Sequence, residues 1–459
     1  MIFLCLNDSI PVISFHNADA VKWAQEYSGP LFHALFCDAP YHLTTITKRL
    51  GKKNSKPIKY GKDGAFSRLS KGFMGNTWDG GDVAFRPETW EAFKGTLHPG
   101  AFGMSFSGSR GWHRMAVAIE DAGFIIHPTI FLWCYGSGLP KATKIKGATQ
   151  FEDHRYGLQA LKPAVEPIIV FQKPYKGRPL ENIVETGAGA LNINGGRIGT
   201  DEIQINRWTD SAHPFGGGAG NEYETVKVKG RWPSNFILGD QEAADKLDLQ
   251  TGMLKSVKFE DHHVIHSESA FNGGKRSNHP QASSYGDQGG ASRFFYRVQK
   301  DLDEVDPVIY LSKATRQEKE AGIDGLEEQE LGHSLYDTCG NCGGYMFQNP
   351  DRPSACTCDE PDRQSKKSVN PHPTVKRLDL CRYIASLLLP PVEYSPRRIF
   401  VPFAGVASEC IGAHLAGWDQ IEGVEIDTAN GYIDIARQRI DFWTREPVKL
   451  DLFTQKAIP

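Results

Sequence analysis

The two ends of this 459-residue chain share one pattern, and a long middle stretch without that pattern separates them. Residues 1–140 and 369–459 alternate short apolar runs with helical periodicity, which is typical of an α/β fold. Residues 141–310 are rich in Gly, Asn, Ser and Pro and show little periodicity. We therefore predict one doubly wound sheet built from both ends of the chain and interrupted by a large, loop-rich insertion. Residues 311–368 are predicted to form a helical linker with a cysteine cluster.

Individual elements follow from local patterns. The run Leu31 to Cys37 (LFHALFC) is continuously apolar, as a buried parallel strand is. The apolar N-terminus lacks the basic region and cleavage site of a signal peptide and is predicted to be a strand. Further strands are predicted at residues 102–106, 130–134, 167–171, 235–238, 398–401 and 420–425, and helices at 112–122, 378–388, 408–416 and 432–443.

Composition sets outer limits on function. With 40% apolar and 23% charged residues the chain is globular, and its formal net charge of −3 restricts any nucleic-acid site to a local basic patch. No apolar run approaches the roughly 18 residues that span a bilayer. Nine cysteines are too few and too scattered for a disulfide scaffold of this size, so a reducing, cytoplasmic setting is expected.

The tetrapeptide Asp38-Ala39-Pro40-Tyr41 follows directly on the LFHALFC strand. It places a carboxylate, a rigid turn and an aromatic ring at the carboxyl end of a parallel strand, where doubly wound folds bind ligands. Asp38 and the Ala39 carbonyl can accept hydrogen bonds from an amino group, and Tyr41 can stack on a flipped base. Taken alone, the tetrapeptide is a weak signal and is more typical of an ordinary turn at the end of a strand.

A second turn points to a nucleoside. The strand that ends in Val401-Pro402-Phe403-Ala404-Gly405 opens a helix, and Glu425 follows Gly405 by 20 residues at the end of the next strand. A glycine turn lets the backbone approach a ligand, and an acid at this distance holds ribose hydroxyls. The absence of a full G-x-G-x-x-G argues against a dinucleotide, and an ordinary βαβ unit can have the same spacing.

In combination, these motifs resemble those of the DNA amino-methyltransferases in which the catalytic motif precedes the cofactor motif, the beta arrangement, and more narrowly phage and prophage methylases. CDAPY resembles the family's D-P-P-Y, and PFAG its cofactor turn. The other carrying segments, in order, are HNADAVKWAQEY, FMGNTWDG, LHPGAFGMSFSGSRGWHRMAVAIEDAGF, WCYGSGLPK, GALNINGGRIG, GRWPSNFIL, SRFFY and NPHPTVK.

The resemblance implies a Rossmann-like methyltransferase sheet in circularly permuted order, S-adenosylmethionine as cofactor and double-stranded DNA as partner. It implies transfer of a methyl group to the exocyclic amino group of a flipped base, with Asp38 favouring adenine N6. It also makes a homodimer plausible, in a bacterial or phage-infected cell. The implied base pocket is Asp38, Ala39, Pro40 and Tyr41, and the implied cofactor residues are Asp19, Asn370, Thr374, Lys376, Phe403, Ala404, Gly405 and Glu425.

Lys376 is placed by this resemblance at the methionine end of the cofactor, where a cation suits a carboxylate. The same lysine can also be read as a solvated surface residue.

Three departures from the family pattern matter. Ala39 replaces the first proline of D-P-P-Y, although its carbonyl remains. Val401 stands where the family usually has Asp, and Ala407 where it usually has Gly. The last two put cofactor affinity in doubt. They leave open a degenerate DNA-binding homologue, beside N4-cytosine methylation and an RNA substrate as further alternatives.

The cysteine cluster Cys339, Cys342, Cys356 and Cys358 has the spacing C-x2-C-x13-C-x-C. Four thiolates suit structural tetrahedral zinc and leave no open catalytic position, while the flanking glycines allow tight turns. The last spacing is shorter than usual, so unligated cysteines are the alternative.

A basic stretch follows the catalytic motif directly. Residues 44–62 contain no acid and include Lys48, Arg49, Lys52, Lys53 and Lys56. We predict a loop that grips DNA phosphates, against the alternative of a solvated flexible loop. Lys227, Lys229, Arg231 and Trp232 form a weaker candidate within the insertion, which is the expected source of sequence preference.

Overall fold

The computed structural model describes residues 11–41, 82–135, 140–145, 147–208, 223–239, 241–255, 288–297, 314, 316–330, 338–339, 341, 358, 363–364, 367–372, 374–426 and 431–445. The basic residues Lys48, Arg49, Lys52, Lys53 and Lys56 lie outside these ranges, as do Cys342 and Cys356. The described chain forms two compact units. The first draws on residues 1–132, 137–192 and 301–459, and the second on 133–136 and 193–300.

The strands, in chain order, are β1 (Val12–Asn17), β2 (Phe32–Asp38), β3 (Leu97–Phe106), β4 (Ile125–Ile126), β5 (Phe131–Cys134), β6 (Lys141–Lys144), β7 (Arg155–Gln159), β8 (Val165–Gln172), β9 (Ile198–Trp208), β10 (Tyr223–Arg231), β11 (Phe236–Leu238), β12 (Leu254–Lys255), β13 (Gln288–Gly289), β14 (Tyr296–Arg297), β15 (Gln329–Glu330), β16 (Thr338–Cys339), β17 (Arg363–Gln364), β18 (Lys367–Ser368), β19 (Arg398–Pro402) and β20 (Gln420–Glu425).

The α-helices, in chain order, are α1 (Ala20–Glu26), α2 (Pro87–Gly95), α3 (Trp112–Asp121), α4 (Pro179–Thr186), α5 (Gln241–Thr251), α6 (Arg316–Glu320), α7 (Leu378–Leu388), α8 (Ser408–Ala416) and α9 (Tyr432–Thr444). Among the described residues, no helix is both long and apolar enough to cross a membrane.

Both ends of the chain contribute to the sheet of the first unit, as the sequence pattern predicts. Its strands run in the order β1-β20-β19-β2-β3-β8, and β4 also pairs with β8. The pairs from β1 to β3 are parallel, whereas β8 runs antiparallel to β3. Strand β19, from the C-terminal end of the chain, therefore lies between β20 and β2, and the carboxyl ends of the parallel strands share one edge.

Helices cover both faces of this sheet. On one face, α1, α2 and α3 pack with Phe32, Leu35 and Cys37 of β2 in a single apolar cluster. On the other face, α8 contacts β2, β19 and β20 and packs against α7. Alternate strand residues point to opposite faces, so every residue of β2 except the last, Asp38, is buried. The sheet core therefore ends where the polar site begins.

The unit boundaries differ from the predicted insertion of residues 141–310. Strand β8 and helix α4 belong to the first unit. The reason lies in the buried run of β8, which pairs with β3 from Phe106↔Ile168 to Phe102↔Gln172 and so extends the sheet. The second unit contains the long antiparallel pair β9–β10 and the parallel pair β11–β14.

Candidate active site

Strand β2 delivers the predicted catalytic motif to the carboxyl edge of the sheet. Asp38 is the last residue of β2 and pairs in register with Phe106, the last residue of β3. Ala39 is 1% exposed and belongs to the apolar cluster below the sheet. The polar side chains of the motif are therefore attached to a buried segment of backbone at the end of β2.

A lysine joins this motif from the other end of the chain. Lys376 Nζ donates a hydrogen bond to Asp38 Oδ2 and lies 3.2 Å from Tyr41 Oη. The Tyr41 hydroxyl in turn donates to Glu166 Oε2 on β8, at 3.4 Å. We call Asp38, Tyr41, Glu166 and Lys376 the Asp38 cluster. It brings together three predicted residues and one, Glu166, that no sequence motif marked.

One oxygen of the Asp38 carboxylate has no hydrogen-bond partner in the part of the chain that the structure describes. Its Oδ2 is taken by Lys376, but its Oδ1 is buried and accepts no hydrogen bond from any described residue. An unsatisfied buried acceptor costs about 1–3 kcal/mol. This oxygen therefore retains the capacity to accept a hydrogen bond.

Charge and burial shape the properties of the cluster. Burial, with the nearby charges of Asp38 and Glu166, raises the pKa of Tyr41 well above its usual value, so its hydroxyl stays protonated. Burial opposes the charge on Lys376, but the carboxylates of Asp38 and Glu166 outweigh it and raise the pKa of that lysine. The cluster therefore holds a permanent cation between two carboxylates.

A further buried acid lies behind the cluster. Glu409, in the first turn of α8, is 4% exposed, and burial followed by the charge of Asp38 raises its pKa to about 7. Lys376 and Arg439 act in the opposite direction on that pKa. Glu409 was not among the predicted site residues, because its burial beside Asp38 depends on the packing of α8 against β2.

The turn after β19 forms the second part of the site. This 402–407 loop has three residues with positive φ, namely Phe403 at 58°, Gly405 at 50° and Ala407 at 66°. Gly405 N donates to Glu425 Oε2 at 2.7 Å, and Ile426 N donates to Glu425 Oε1 at 2.9 Å. The predicted pair of glycine turn and acid therefore meets in space.

The NPHPTVK segment lies against this loop. A Cβ on Gly405 would come within 3.1 Å of His372 Nε2, so only glycine fits without displacing that ring. The His372 ring lies 4.7 Å from the Tyr432 ring, centroid to centroid. His372 was part of the quoted motif but was not predicted as a site residue.

Other predicted cofactor residues have local structural roles. Asn370 is 1% exposed, donates to Lys319 O and accepts from His372 N. Thr374 N donates to His372 Nδ1 at 3.4 Å. Asp19 caps helix α1 by accepting from Val21 N and Lys22 N.

The remaining positions of the cofactor motif lie in the protein core. Ala404 N donates to Val424 O and the residue is 2% exposed, while Phe403 packs edge-on against Phe93. Val401 and Ala407, two of the three departures from the resembled family's pattern, are fully buried.

Two of the four clustered cysteines are described. Cys339 lies on β16 and its Sγ is 3.9 Å from the Sγ of Cys358, which is too far for a disulfide bond of about 2.05 Å. In the part of the chain that the structure describes, no group of three or more His, Cys, Asp or Glu side chains could hold a metal. The described residues thus place one pair of thiols together.

No protein-family model matches the sequence. Among curated proteins, the type II methyltransferase M.HindIII of Haemophilus influenzae is 27% identical over 202 residues, which cover 39% of this chain. The matched region spans 64% of the length of that relative.

Solved structures give loose overall superpositions. A complex of M1.HpyAVI with SAM has a TM-score of 0.34 at 10% identity, covering 94% of this chain and 100% of that one. PvuII DNA methyltransferase (cytosine-N4-specific) has a TM-score of 0.37 at 9% identity, covering 94% of this chain and 92% of that one. The putative DNA modification methylase TTHA0409 of Thermus thermophilus has a TM-score of 0.33 at 12% identity, covering 93% and 94%. By sequence, the chain is similar to a type II methyltransferase over part of its length.

Proposed function

We propose that this chain is an S-adenosylmethionine-dependent DNA methyltransferase that modifies the exocyclic amino group of a flipped base, adenine N6 in the first instance. The observation that carries the proposal is the buried Oδ1 of Asp38, which lies beside Tyr41 and accepts no hydrogen bond from a described residue. Strand β2, which ends in Asp38, is adjacent to β19, which opens the 402–407 loop. The similarity to a type II methyltransferase supports this reading.

The 402–407 loop fits a nucleoside. Gly405 has a positive φ and lies so close to His372 that a Cβ would meet Nε2 at 3.1 Å. A residue without a side chain at this turn suits close approach of a ligand to the backbone. We assign Phe403, Ala404, Gly405 and Glu425 to the cofactor, with Glu425 for the ribose hydroxyls. The resemblance adds Asp19, Asn370 and Thr374 to this assignment. Asp19 and Asn370 would act indirectly, by fixing nearby backbone through their hydrogen bonds.

The Asp38 cluster fits the acceptor base. Asp38 Oδ1 would accept one N–H hydrogen of the target amino group, and the Ala39 carbonyl the other, so that the nitrogen lone pair turns outward. Tyr41 would stack on the base, and Pro40 would fix the turn between them. When bound, S-adenosylmethionine supplies an electrophilic methyl group. Orientation of the amino group provides most of the acceleration, because it converts a bimolecular encounter into a fixed approach.

Nucleoside mass spectrometry tests the proposal. Unmethylated double-stranded DNA is incubated with the protein and S-adenosylmethionine, digested and analysed, with Asp38→Ala as the inactive control. N6-methyladenine supports the proposal in full, and N4-methylcytosine keeps the mechanism but changes the base. If no methylated base forms and calorimetry detects no cofactor binding, the proposal fails and a degenerate DNA-binding protein is the better reading.

The adenine assignment rests on Asp38 alone. In the resembled family, Asp at this position favours adenine, and the pocket geometry itself accommodates either amino base. The two products differ in mass and in parent nucleoside, so the same experiment separates them. RNA digested and analysed in parallel decides the remaining alternative.

DNA contacts are proposed at two places. The basic residues Lys48, Arg49, Lys52, Lys53 and Lys56 remain a prediction from sequence. In the second unit, Lys227 and Lys229 are exposed on β10, Trp232 is 61% exposed, and Arg197 lies 5.8 Å from the Trp232 ring centroid. Replacing phosphate-binding lysines should weaken binding to all DNA sequences alike and reduce its salt dependence.

Structural zinc remains part of the proposal. Zinc–sulfur bonds of about 2.3 Å place neighbouring sulfurs of a tetrahedral site about 3.8 Å apart, and the Sγ atoms of Cys339 and Cys358 are 3.9 Å apart. Cys342 and Cys356 would supply the other ligands from sequence spacing. Elemental analysis of the purified chain and of Cys339→Ser tests this: about one zinc per chain is expected, and its loss in the variant.

Three narrower expectations come from the resemblance alone. They are kinship with phage and prophage methylases, the permuted order of motifs, and assembly as a homodimer. In this chain the strand ending in Asp38 does precede the strand that leads into Gly405, which supports the second. Light scattering of the purified protein tests the third, for which a monomer mass would be the contrary result.

A further inference from the structure

Lys376 reaches the catalytic carboxylate although it belongs to a cofactor motif. The resemblance places this lysine at the methionine end of the cofactor. In the structure, its Nζ donates to Asp38 Oδ2 and lies 3.2 Å from Tyr41 Oη. An ammonium group has three N–H donors, and two of them are directed at the acid and the phenol of the proposed base pocket.

The surroundings hold the lysine in that place. Lys376 is 4% exposed, and its Nζ lies 4.8 Å from the ring centroid of Phe106 and 5.4 Å from that of Tyr41. The groups that act electrostatically on it are the carboxylates of Asp38, Glu166 and Glu409. A buried cation is stable only when it is paired. The acids around the Lys376 ammonium belong to the Asp38 cluster or lie directly behind it.

The contacts of Lys376 determine how Asp38 and Tyr41 are presented. By occupying Oδ2, the ammonium fixes the plane of the Asp38 carboxylate and leaves Oδ1 as its acceptor. The Tyr41 hydroxyl is held between Lys376 and Glu166. Behind the ring, a Cβ on Gly108 would come within 3.0 Å of Tyr41 Cδ2, so the backbone closes against that ring.

We propose that Lys376 is a positioning residue of the base pocket, which orients Asp38 and Tyr41 for the amino group, rather than a ligand of the cofactor carboxylate. The inference rests on the proposed methyltransferase function. It gives the NPHPTVK segment contacts with both parts of the site, because the segment reaches the 402–407 loop through His372 and the Asp38 cluster through Lys376.

The two roles separate in steady-state kinetics. For Lys376→Met, we expect kcat to fall about 100-fold, the loss typical of misplacing a reacting group, while the Kd of S-adenosylmethionine changes less than about threefold. A lysine that binds the cofactor carboxylate would give the reverse, with Kd raised about tenfold or more and kcat at saturation retained. That reverse result would overturn the proposal.

A pH profile distinguishes positioning from general structural support. Asp38 is faced by Lys376, Tyr41, Glu166 and Glu409, with the thiols of Cys37 and Cys381 nearby. Lys376 lowers the pKa of Glu409. Without the ammonium, Glu409 keeps its proton to higher pH, so the acid limb of the kcat profile should move upward in Lys376→Met. Lys376→Arg retains the charge and should return the limb to its wild-type position. An unmoved limb in Lys376→Met would contradict the proposal.

A measurement without activity keeps the proposed function separate. The drop in Tm caused by Lys376→Met should grow as pH rises from 6 to 8.5, because charged buried acids then lack their cation. Lys173→Met is the matched control, since Lys173 is a part-buried lysine that donates to Lys94 O and Leu97 O. A pH-independent drop in Tm would overturn the contact even in an active enzyme. If the drop in Tm of Lys376→Met grows with pH but the wild-type protein has no methyltransferase activity, the contact stands and the proposed function is overturned.

Discussion

The two parts of the candidate site are built by different means. The Asp38 cluster works through side chains, with a buried cation between carboxylates and a phenol. The 402–407 loop works through backbone, with positive φ at Phe403 and Gly405 and a peptide N–H on Glu425. Electrostatics therefore controls the first part, while steric fit and backbone conformation control the second.

This difference predicts which substitutions affect each part. Changes of charge should act on turnover and on its pH dependence, and should leave cofactor affinity nearly intact. Changes of a single methyl group in the loop should act on cofactor affinity and on stability. Substitutions in each part therefore test whether turnover and cofactor affinity can be changed separately.

The largest effect is expected at the catalytic motif. Asp38→Ala removes the acceptor of the amino group, and Tyr41→Ala removes the stacking surface. We expect kcat to fall about 100- to 1,000-fold in each, as for loss of one preorganised partner of a transition state, with the Kd of S-adenosylmethionine within about threefold of wild type. Single-turnover kinetics and calorimetry measure the two quantities. Equal losses in both would mean that the site does not divide as described.

The next effect concerns the acid behind the cluster. The pKa of Glu409 is raised to about 7, so the folded state binds its proton more tightly than the unfolded state does. Its contribution to stability is complete below pH 4.5 and is lost as pH rises to about 7. The loss is on the order of 3 kcal/mol. Glu409→Gln cannot titrate and should flatten this decline in the free energy of unfolding.

Denaturant unfolding between pH 4.5 and 8 measures that slope. Glu318 has a pKa of about 7, also raised by burial, and it accepts a hydrogen bond from Leu378 N. Part of the decline should therefore persist in Glu409→Gln and disappear in the double variant with Glu318→Gln. A Glu409→Gln slope equal to that of wild type would show that burial beside Asp38 does not raise the pKa of Glu409.

A smaller effect is expected in the loop. Gly405→Ala places a Cβ 3.1 Å from His372 Nε2, so that ring and the 402–407 loop must shift. We expect the Kd of S-adenosylmethionine to rise about tenfold, with kcat at saturation little changed. Gly431 is a suitable control, because its φ is also positive, at 71°, and a Cβ there meets nothing within 4 Å. Gly431→Ala shares the backbone strain but should keep the affinity.

The elements of the C-terminal half could be predicted closely from sequence, because periodicity and turn residues agree there. Helix α7 and helix α8 have the predicted bounds, as does β20. The adjacency of Gly405 and Glu425 also follows from the 20-residue spacing, since neighbouring parallel strands end at one edge. A local sequence pattern is sufficient to predict this part of the site, because its residues lie in one βαβ unit.

The partner of Lys376 could not be predicted in this way. The spacing marked a cation near a cofactor, but the choice between two anions depends on how the chain folds over 338 residues. Glu166 and Glu409 have no motif, and they enter the site only because β8 pairs with β3 and α8 packs against β2. Their roles depend on tertiary packing, which single-sequence patterns do not contain.

The smallest effect tests the departure at position 407. Ala407 is fully buried with φ of 66°, where an L-residue is strained by about 1–2 kcal/mol. Ala407→Gly relieves that strain but loses a buried methyl group of about 0.8 kcal/mol and gains unfolded-state entropy. We therefore expect the free energy of unfolding to change by less than about 1 kcal/mol.

Ala413, equally buried within α8, is the matched control for this last prediction. Ala413→Gly loses the methyl group and helix propensity together, with no strain to relieve, and should be destabilised by about 2 kcal/mol. If both variants lose the same stability, Ala407 is not strained and the loop conformation is set by its neighbours. If Ala407→Gly is nearly neutral and also tightens cofactor binding, the alanine limits how closely the loop can approach its ligand.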